Sequence, residues 1–407
     1  MSVFSTWAQF TIYNASNSGL SSNNCWYVNQ DQSGKVWVAT QNGGAFVYNG
    51  TAWTNYKTTN SGIGANYVTP IAFEPGTTNT WLGTYSSNAG ISRFNGSAWS
   101  TYNTSNSGLP YDDVLAIDFD AQGNKWIGTR GGGVAKYNGT TWTVFNTFNS
   151  AIPSDIIYSL EIDNAGNVWV GTALSGLAKY DGANWTIYNS SNSSLPDDDV
   201  YSLKFNTQTN SMWIGTNGGV AVIKNNVWTI YKSGTTANFP DNYIRGIAHS
   251  ASSGNTFIAT GNGGIGVFDG YTWRSYNTSN SNLPSNQVWS VNLGFGNEVW
   301  ASTWGSGIVK FTDTPSGIED LKESSLNTNV FPNPGRTKVT FVVDSKRSDK
   351  AFIKILNALG QEVETKIIEL NPGENTFILN VENYNPGLYN YLIKATDSSN
   401  GGKLIVD

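Results

Sequence analysis

The tetrad Trp169-Val170-Gly171-Thr172 recurs in close variants at seven places along the 407-residue chain. Its first position is occupied by Trp37, Trp81, Trp126, Trp169, Trp213, Phe257 and Trp300. Successive copies lie 44, 45, 43, 44, 44 and 43 residues apart. A period in the forties with short strands and aromatic anchors is typical of a β-propeller with one four-stranded blade per repeat. The sequence therefore predicts an all-β, seven-bladed β-propeller.

The ends of the repeat array predict how the ring closes. The seventh repeat stops at Phe311, one strand short of the pattern, whereas residues 10–14 match the fourth strand of the other repeats. We therefore expect the first strand of the chain to complete the last blade, which removes open sheet edges. The predicted propeller spans residues 1–311.

Composition narrows the classes of function. The net charge is -6 and only 13% of residues are charged, which argues against a nucleic-acid partner. No apolar run approaches the roughly 20 residues of a membrane-spanning helix. The single cysteine, Cys25, and the single histidine, His249, occupy positions that are apolar in other repeats, so both are interpreted as structural. We expect no metal, no cofactor and no catalytic residue set.

A second domain follows the last tetrad. All 16 tryptophans lie at or before Trp304, residues 312–329 form a polar linker, and residues 330–407 alternate between predicted strands and turns rich in Pro and Gly. This pattern predicts a small Ig-like β-sandwich.

Two stretches resemble known families. Residues 330–407 resemble the C-terminal sorting domain of type IX secretion cargo in Bacteroidetes, through Val330-Phe331-Pro332-Asn333-Pro334, Asn385-Pro386-Gly387-Leu388-Tyr389 and the terminal Gly402-Lys403-Leu404-Ile405-Val406. This resemblance implies export by the type IX machinery to the medium or the outer cell surface. It also implies a signal peptide, whose basic and apolar regions are not recognisable in Met1-Ser2-Val3-Phe4-Ser5, so we expect a truncated N-terminus.

The repeats themselves are similar to the propeller repeats of hybrid two-component regulators, through the tetrad and the Asn-Gly turns at Asn49, Asn95 and Asn138. Such repeats also occur in secreted proteins without a kinase. The resemblance therefore implies the propeller and leaves its ligand open.

A ring of Asn and Asp precedes the first strand of each blade: Asn23, Asn66, Asp112, Asp155, Asp198, Asn242 and Asn286. One interpretation is that these side chains cap their turns. The alternative is that Asp112, Asp155 and Asp198 form an electronegative mouth that holds a cation or the hydroxyl groups of a glycan.

Irregular loops on the same face give a second candidate site. Tyr85, Arg130 and Trp304 stand where most other repeats have Asn-Gly or Gly-Gly. Binding residues are commonly carried by variable loops on a rigid scaffold, and a Tyr or Trp stacks on sugar rings while an Arg pairs with a carboxylate.

The leading hypothesis is a secreted or surface-attached module that binds carbohydrate or protein on this face and is not an enzyme. One alternative is a polysaccharide lyase or glycosidase, which would need positioned acid and base groups. Another is a structural protein that associates with itself through its polar loops.

Overall fold

The computed structural model describes residues 10–312, 326–357, 362–395 and 398–407. The chain divides into two compact units, Met1–Pro315 and Ser316–Asp407. The first unit contains seven four-stranded antiparallel sheets, in agreement with the predicted seven blades. Most of the predicted linker, residues 313–325, lies outside the described residues.

Each blade uses four consecutive strands, apart from the seventh. Blade 1 comprises β2 (Cys25–Gln30), β3 (Val36–Thr40), β4 (Ala45–Tyr48) and β5 (Trp53–Tyr56), and blade 2 comprises β6 (Val68–Phe73), β7 (Thr80–Thr84), β8 (Ile91–Phe94) and β9 (Trp99–Tyr102). Blade 3 comprises β10 (Val114–Phe119), β11 (Lys125–Thr129), β12 (Val134–Tyr137) and β13 (Trp142–Phe145), and blade 4 comprises β14 (Ile157–Ile162), β15 (Val168–Thr172), β16 (Leu177–Tyr180) and β17 (Trp185–Tyr188). Blade 5 comprises β18 (Val200–Asn206), β19 (Ser211–Thr216), β20 (Gly219–Lys224) and β21 (Val227–Tyr231), and blade 6 comprises β22 (Ile244–His249), β23 (Thr256–Thr260), β24 (Ile265–Phe268) and β25 (Trp273–Tyr276). Blade 7 comprises β26 (Val288–Leu293), β27 (Glu298–Thr303), β28 (Gly307–Thr312) and the first strand, β1 (Thr11–Tyr13), with a 3-10 turn at Phe295–Asn297.

The first strand closes the ring, as the sequence predicts. Thr11 pairs with Lys310 and Tyr13 with Ile308, so that β1 is the outer strand of blade 7. Phe10 is buried and meets Phe311 edge to face at 4.9 Å. Both ends of the ring thus share one sheet, and the last blade has no unpaired third strand.

The tetrads form the cores of the blades. All seven tetrad strands are buried, and the small third residue lets neighbouring blades approach. In blade 4, a Cβ on Gly171 would collide with Ser159 and with Val200 of blade 5. The indole nitrogen of Trp169 donates to Asp163 Oδ2 at 2.8 Å, in the preceding hairpin turn, and blades 1, 2, 3 and 7 have an equivalent Trp-to-carboxylate bond. Each such Trp is therefore both packed and hydrogen-bonded.

The tetrad threonine stabilises the connection between the second and third strands in every blade. Its hydroxyl donates to the carbonyl oxygen of a glycine at the start of the third strand, over 2.6 to 2.9 Å in all seven cases. That glycine has a positive φ throughout, for example 81° at Gly44 and 85° at Gly307. A side chain there would strike the carbonyl group of the fourth strand, so the connection requires glycine.

The second unit contains two sheets around one apolar core. One sheet has the order β29-β30-β33 and the other β32-β31-β34-β35. These strands are β29 (Asn327–Phe331), β30 (Lys338–Ser345), β31 (Asp349–Leu356), β32 (Glu362–Leu370), β33 (Gly373–Asn380), β34 (Gly387–Lys394) and β35 (Ser399–Val406). The sequence predicts six of them and misses β29, because the two prolines just downstream of it are typical of a loop. The Ig-like assignment of this unit stays a prediction.

We expect Trp169→Ala to lower the free energy of unfolding of the propeller by about 3–5 kcal/mol, because it leaves a large cavity between blades. Urea unfolding followed by tryptophan fluorescence reports on the propeller alone, since every Trp of the chain lies there. Trp169→Phe is the matched control. Because Phe257 fills this position in blade 6, this variant should lose much less of the free energy of unfolding. A loss below about 1 kcal/mol for Trp169→Ala would contradict the packing role.

Candidate functional site

One face of the propeller is held by the same backbone bond in every blade. The residue after each tetrad donates its N–H to the carbonyl oxygen of the residue before the inner strand, over 2.8 to 3.2 Å. The donor–acceptor pairs are Gln41–Asn24, Tyr85–Tyr67, Arg130–Asp113, Ala173–Ile156, Asn217–Asp199, Gly261–Tyr243 and Trp304–Gln287. The backbone of this face, the mouth of the central channel, therefore repeats seven times, whereas its side chains differ from blade to blade.

A β-bulge follows at the start of every inner strand. In blade 1 the register shifts between Cys25 and Tyr27, and the other six inner strands shift at the equivalent place. The residues within the bulges are Trp26, Thr69, Leu115, Tyr158, Tyr201, Arg245 and Trp289, with Pro70 also unpaired in blade 2. A bulge leaves one residue unpaired and redirects its side chain, a device that is common next to functional sites.

Large side chains from the mouth contact one another around the ring. Trp26 packs against Trp289 with ring centroids 4.1 Å apart and against Trp304 at 5.3 Å. On its other side Trp26 stacks on Tyr67 at 5.8 Å, and Tyr67 lies 4.9 Å from Tyr85. These contacts join blades 7, 1 and 2. With the residues described in the next two paragraphs they form what we call the mouth belt: Trp26, Tyr67, Tyr85, Arg130, Tyr158, Tyr201, Tyr243, Arg245, Trp289 and Trp304.

The belt continues through both of its arginines. The Arg130 guanidinium lies 5.1 Å from the Tyr85 ring centroid and donates to the Tyr85 hydroxyl. Burial raises the pKa of Tyr158 of blade 4, and the charge of Arg130 acts on this pKa in the opposite direction. Tyr158 stacks on Tyr201 at 4.9 Å, and Arg245 follows at 4.9 Å from Tyr201. The belt therefore includes side chains from every blade.

Arg245 is the most enclosed charge of the belt. Its guanidinium carbon lies 3.8 Å from the Tyr243 ring centroid and 3.9 Å from that of Trp289. None of the ion pairs within the described residues includes Arg245, and its Nε is buried without a hydrogen-bond partner there. Burial lowers the pKa of Arg245 to about 10, so the guanidinium remains charged at neutral pH. Two aromatic faces stabilise this cation without satisfying its N–H donors.

The Asn and Asp ring takes the capping geometry. All seven side chains accept a backbone N–H bond of 2.7 to 2.9 Å from the preceding link. Asp155 and Asp198 each accept from both the backbone and the hydroxyl group of one residue, Thr147 and Ser190. Asp112 bonds Thr104 in this way and also Asn88 N. The capping interpretation accounts for all of these bonds.

Other carboxylates at the mouth also bind backbone N–H groups. Asp199 Oδ1 accepts from Leu174 N at 3.0 Å, and Asp241 Oδ2 accepts from Asn262 N at 2.9 Å. Burial, with a contribution from Asp112, raises the pKa of Asp113. Each oxygen that accepts one backbone bond retains further lone pairs for another donor.

A charged group lies deeper in the channel. Asp118 Oδ2 accepts from Ile162 N and Glu161 Oε1 accepts from Phe205 N, both at 3.0 Å and both in the next blade. Lys204 Nζ pairs with Glu161 at 2.9 Å. Enclosure by the inner strands and the adjacent Glu161 raise the pKa of Asp118 to about 7. These side chains occupy free edges of the inner strands and link neighbouring blades.

The lone cysteine and histidine have structural surroundings. Burial raises the pKa of the Cys25 thiol to about 12. Burial lowers the pKa of His249 to about 4, while its Nδ1 lies 2.9 Å from Thr256 Oγ1 and its ring meets Trp213 edge to face. Within the described ranges, no three His, Cys, Asp or Glu side chains are grouped as metal ligands.

Of the six candidate ligand-binding residues, the structure brings Tyr85, Arg130 and Trp304 into the mouth belt, whereas Asp112, Asp155 and Asp198 lie in separate turn caps. The sequence prediction missed the other seven members of the belt: Trp26, Tyr67, Tyr158, Tyr201, Tyr243, Arg245 and Trp289. They lie directly before or after the first residue of an inner strand, where the residue type differs between most copies of the repeat.

Comparison with protein families confirms both resemblances. Residues 329–407 match the secretion system C-terminal sorting domain, and residues 151–173 match the two component regulator propeller. The chain is a β-propeller protein that ends in a secretion sorting domain. That domain directs proteins to the medium or the outer cell surface. No curated protein sequence matches the chain.

Solved structures share the fold at low identity. The extracellular domain of the hybrid two-component system BT3049 from B. thetaiotaomicron is 18% identical over 98% of this chain and 57% of its own, with a TM-score of 0.65. PorZ, a surface component of the type IX secretion system of Porphyromonas gingivalis, is 17% identical over 97% of this chain and 61% of its own, with a TM-score of 0.57. A streptogramin B lyase is 13% identical over 74% of this chain and 96% of its own, with a TM-score of 0.58. This chain thus spans less than two thirds of the first two proteins, and these identities show the fold alone. Among the described residues no helix has the length and hydrophobicity needed to cross a bilayer.

We expect the triple variant Asp112→Asn, Asp155→Asn, Asp198→Asn to unfold within about 1 kcal/mol of the parent chain, because an Asn oxygen accepts the same bond in four other blades. Thermal unfolding followed by tryptophan fluorescence measures this. The triple Ala variant is the matched control and should be clearly less stable, since it leaves three turns without their acceptor. Equal melting of the Asn and Ala variants would contradict the capping role.

The raised pKa of Asp118 predicts a pH-dependent stability. The folded state holds a proton that the unfolded state releases near pH 4, so this contribution is full below pH 4 and is lost as pH rises through 7. Asp118→Asn should remove this loss of stability at higher pH, because its amide does not titrate. We expect the variant to be more stable than the parent at pH 8, by about 2 kcal/mol, and the difference to shrink as the pH falls toward 4. Urea unfolding at several pH values gives both curves, and parallel curves would refute the prediction.

Proposed function

We propose that this secreted or surface-located propeller is a binding module, and that its mouth belt binds carbohydrate by aromatic stacking. The observation that carries the proposal is the belt itself: eight aromatic side chains and two arginines collected at one end of the channel, on a backbone that is otherwise the same in every blade. Packing of the blades does not require these residues, since Thr69 and Leu115 fill equivalent places.

The chemistry of the belt suits a sugar better than a purely apolar ligand. Tyr and Trp present wide faces to a pyranose ring, while the nearby amide and carboxylate oxygens accept hydrogen bonds from hydroxyl groups. Asn24 and Gln41, which bond one another at 3.0 Å, and Asp199 supply such groups beside the belt.

A strained exposed residue lies beside these groups. Leu174 has a φ of 56°, and its side chain is 78% exposed. A leucine in this conformation is costly and persists where its surroundings impose it, here through the bond to Asp199. An apolar side chain held out at the rim supports a binding role for this face.

We expect Trp289→Ala and Trp304→Ala each to weaken glycan binding about tenfold or more, because truncation of a central aromatic anchor removes most of its stacking energy. Screening the purified full chain on a glycan array identifies the ligand, and calorimetry then gives the affinities of the variants. Phe295→Ala is the matched control, since Phe295 is 57% exposed in the hairpin connection at the other end of the inner strand of blade 7.

Three outcomes would contradict the proposal: binding that survives both tryptophan substitutions, no glycan bound at all, or a chain that only associates with itself. The last, detected by light scattering, would favour a structural role.

A further inference from the structure

We propose that the mouth belt selects a glycan that carries a carboxylate, and that Arg245 is the residue that pairs with this group. The inference rests on the proposed function and narrows it to one ligand class, oligosaccharides that contain a uronic acid. It depends on the surroundings of one cation.

Arg245 has no ion-pair partner within the part of the chain that the structure describes. The guanidinium lies against the rings of Tyr243 and Trp289, at 3.8 and 3.9 Å, and the Tyr201 ring lies 4.9 Å away. The Nε of Arg245 is buried without a hydrogen-bond partner among the described residues, and burial already disfavours the charge of the guanidinium. Placing an unpaired guanidinium here costs free energy, and a bound carboxylate recovers it through a bidentate bond.

Two carboxylates at the mouth, in the links that lead into blades 5 and 6, do not take this role. Asp199 Oδ1 accepts from Leu174 N, while Asp241 binds Asn242 N and Asn262 N through its two oxygens. Neither forms an ion pair with Arg245. The position opposite the guanidinium edge is therefore left to a ligand.

The acidic side chains at the mouth limit how many negative charges the ligand carries. The connections at this face contain four aspartates, Asp113, Asp197, Asp199 and Asp241, whereas the belt contains only two arginines. A densely sulfated chain would place several anions beside these carboxylates, which is unfavourable. A sugar with one carboxylate among many hydroxyl groups fits better, because its hydroxyl groups donate to the Asp oxygens while its carboxylate reaches Arg245.

Trp289 connects the two parts of this recognition. One face of its indole lies against Arg245, and its ring also contacts Trp26 and Trp304. A uronic acid stacked on this tryptophan cluster would have its carboxylate within the range of the neighbouring guanidinium. Stacking and charge pairing should therefore depend on each other.

The test uses the full chain and three probes, which are oligosaccharides of galacturonan, alginate and glucuronoxylan, each compared with its carboxyl-reduced form by calorimetry. We expect at least one acidic probe to bind at least tenfold more tightly than its reduced form. Arg245→Met removes the charge and keeps an apolar side chain of similar reach, so it should abolish that preference: the acidic and reduced forms should then bind with equal affinity. Arg93→Met is the matched control, because Arg93 lies over Trp81, a tetrad residue outside the mouth.

Each other result overturns the inference in a distinguishable way. If acidic and reduced probes bind equally and Trp289→Ala abolishes this binding, the carboxylate preference is refuted. The proposed function then still stands. Failure of all three acidic probes, while the array gives a neutral glycan, does the same. Failure of the probes and of the array refutes both proposals. Tight binding of an acidic peptide in place of the sugars, lost in Arg245→Met, refutes the glycan class. The circular dichroism spectrum of each variant verifies that it is folded.

Discussion

The hydrogen bond from the tetrad threonine to the glycine of the next strand organises every blade of the propeller. It occurs in all seven blades and fixes the tight connection between the second and third strands. In five blades the same glycine donates its N–H to the carbonyl oxygen of the Asn or Asp before the next inner strand, as Gly176 does to Asp198. The connection within one blade is thus bonded to the link that leads into the next blade.

These two hydrogen bonds of the glycine give the mouth a rigid backbone that does not depend on the identity of the exposed side chains. The residue after the threonine bonds through its main chain alone, so Gln41, Arg130 and Trp304 occupy the same place equally well. The bulged residue of each inner strand is likewise fixed by backbone register rather than by packing. Side chains at these two positions can therefore differ between blades without disturbing the fold, and most residues of the belt occupy these positions.

The sequence predicts the features that repeat. The tetrads, the number of blades and the shared last blade follow from a period of 43 to 45 residues and from one missing strand. The irregular loop residues Tyr85, Arg130 and Trp304 are visible because they interrupt a pattern. Arg245 and Trp289 are not, because a bulge resembles an ordinary strand in sequence, and because contacts between blades 5, 6 and 7 depend on the closed ring. The cap function of Asp112 is ambiguous in sequence, since a turn cap and a ligand site use the same side chain.

The locations of the charged groups support our proposal of a binding role. An acid and base pair needs two groups that face a common reacting atom. Asp118 and Glu161 instead face the N–H groups of the next blade, and the carboxylates of Asp112, Asp155 and Asp198 bind their own turns. Among the described groups at the mouth, the Arg245 guanidinium, the Trp26 indole N–H and the second lone pairs of the carboxylates keep unused hydrogen-bonding capacity, set among aromatic faces. We propose that such a surface orients a sugar and its substituents.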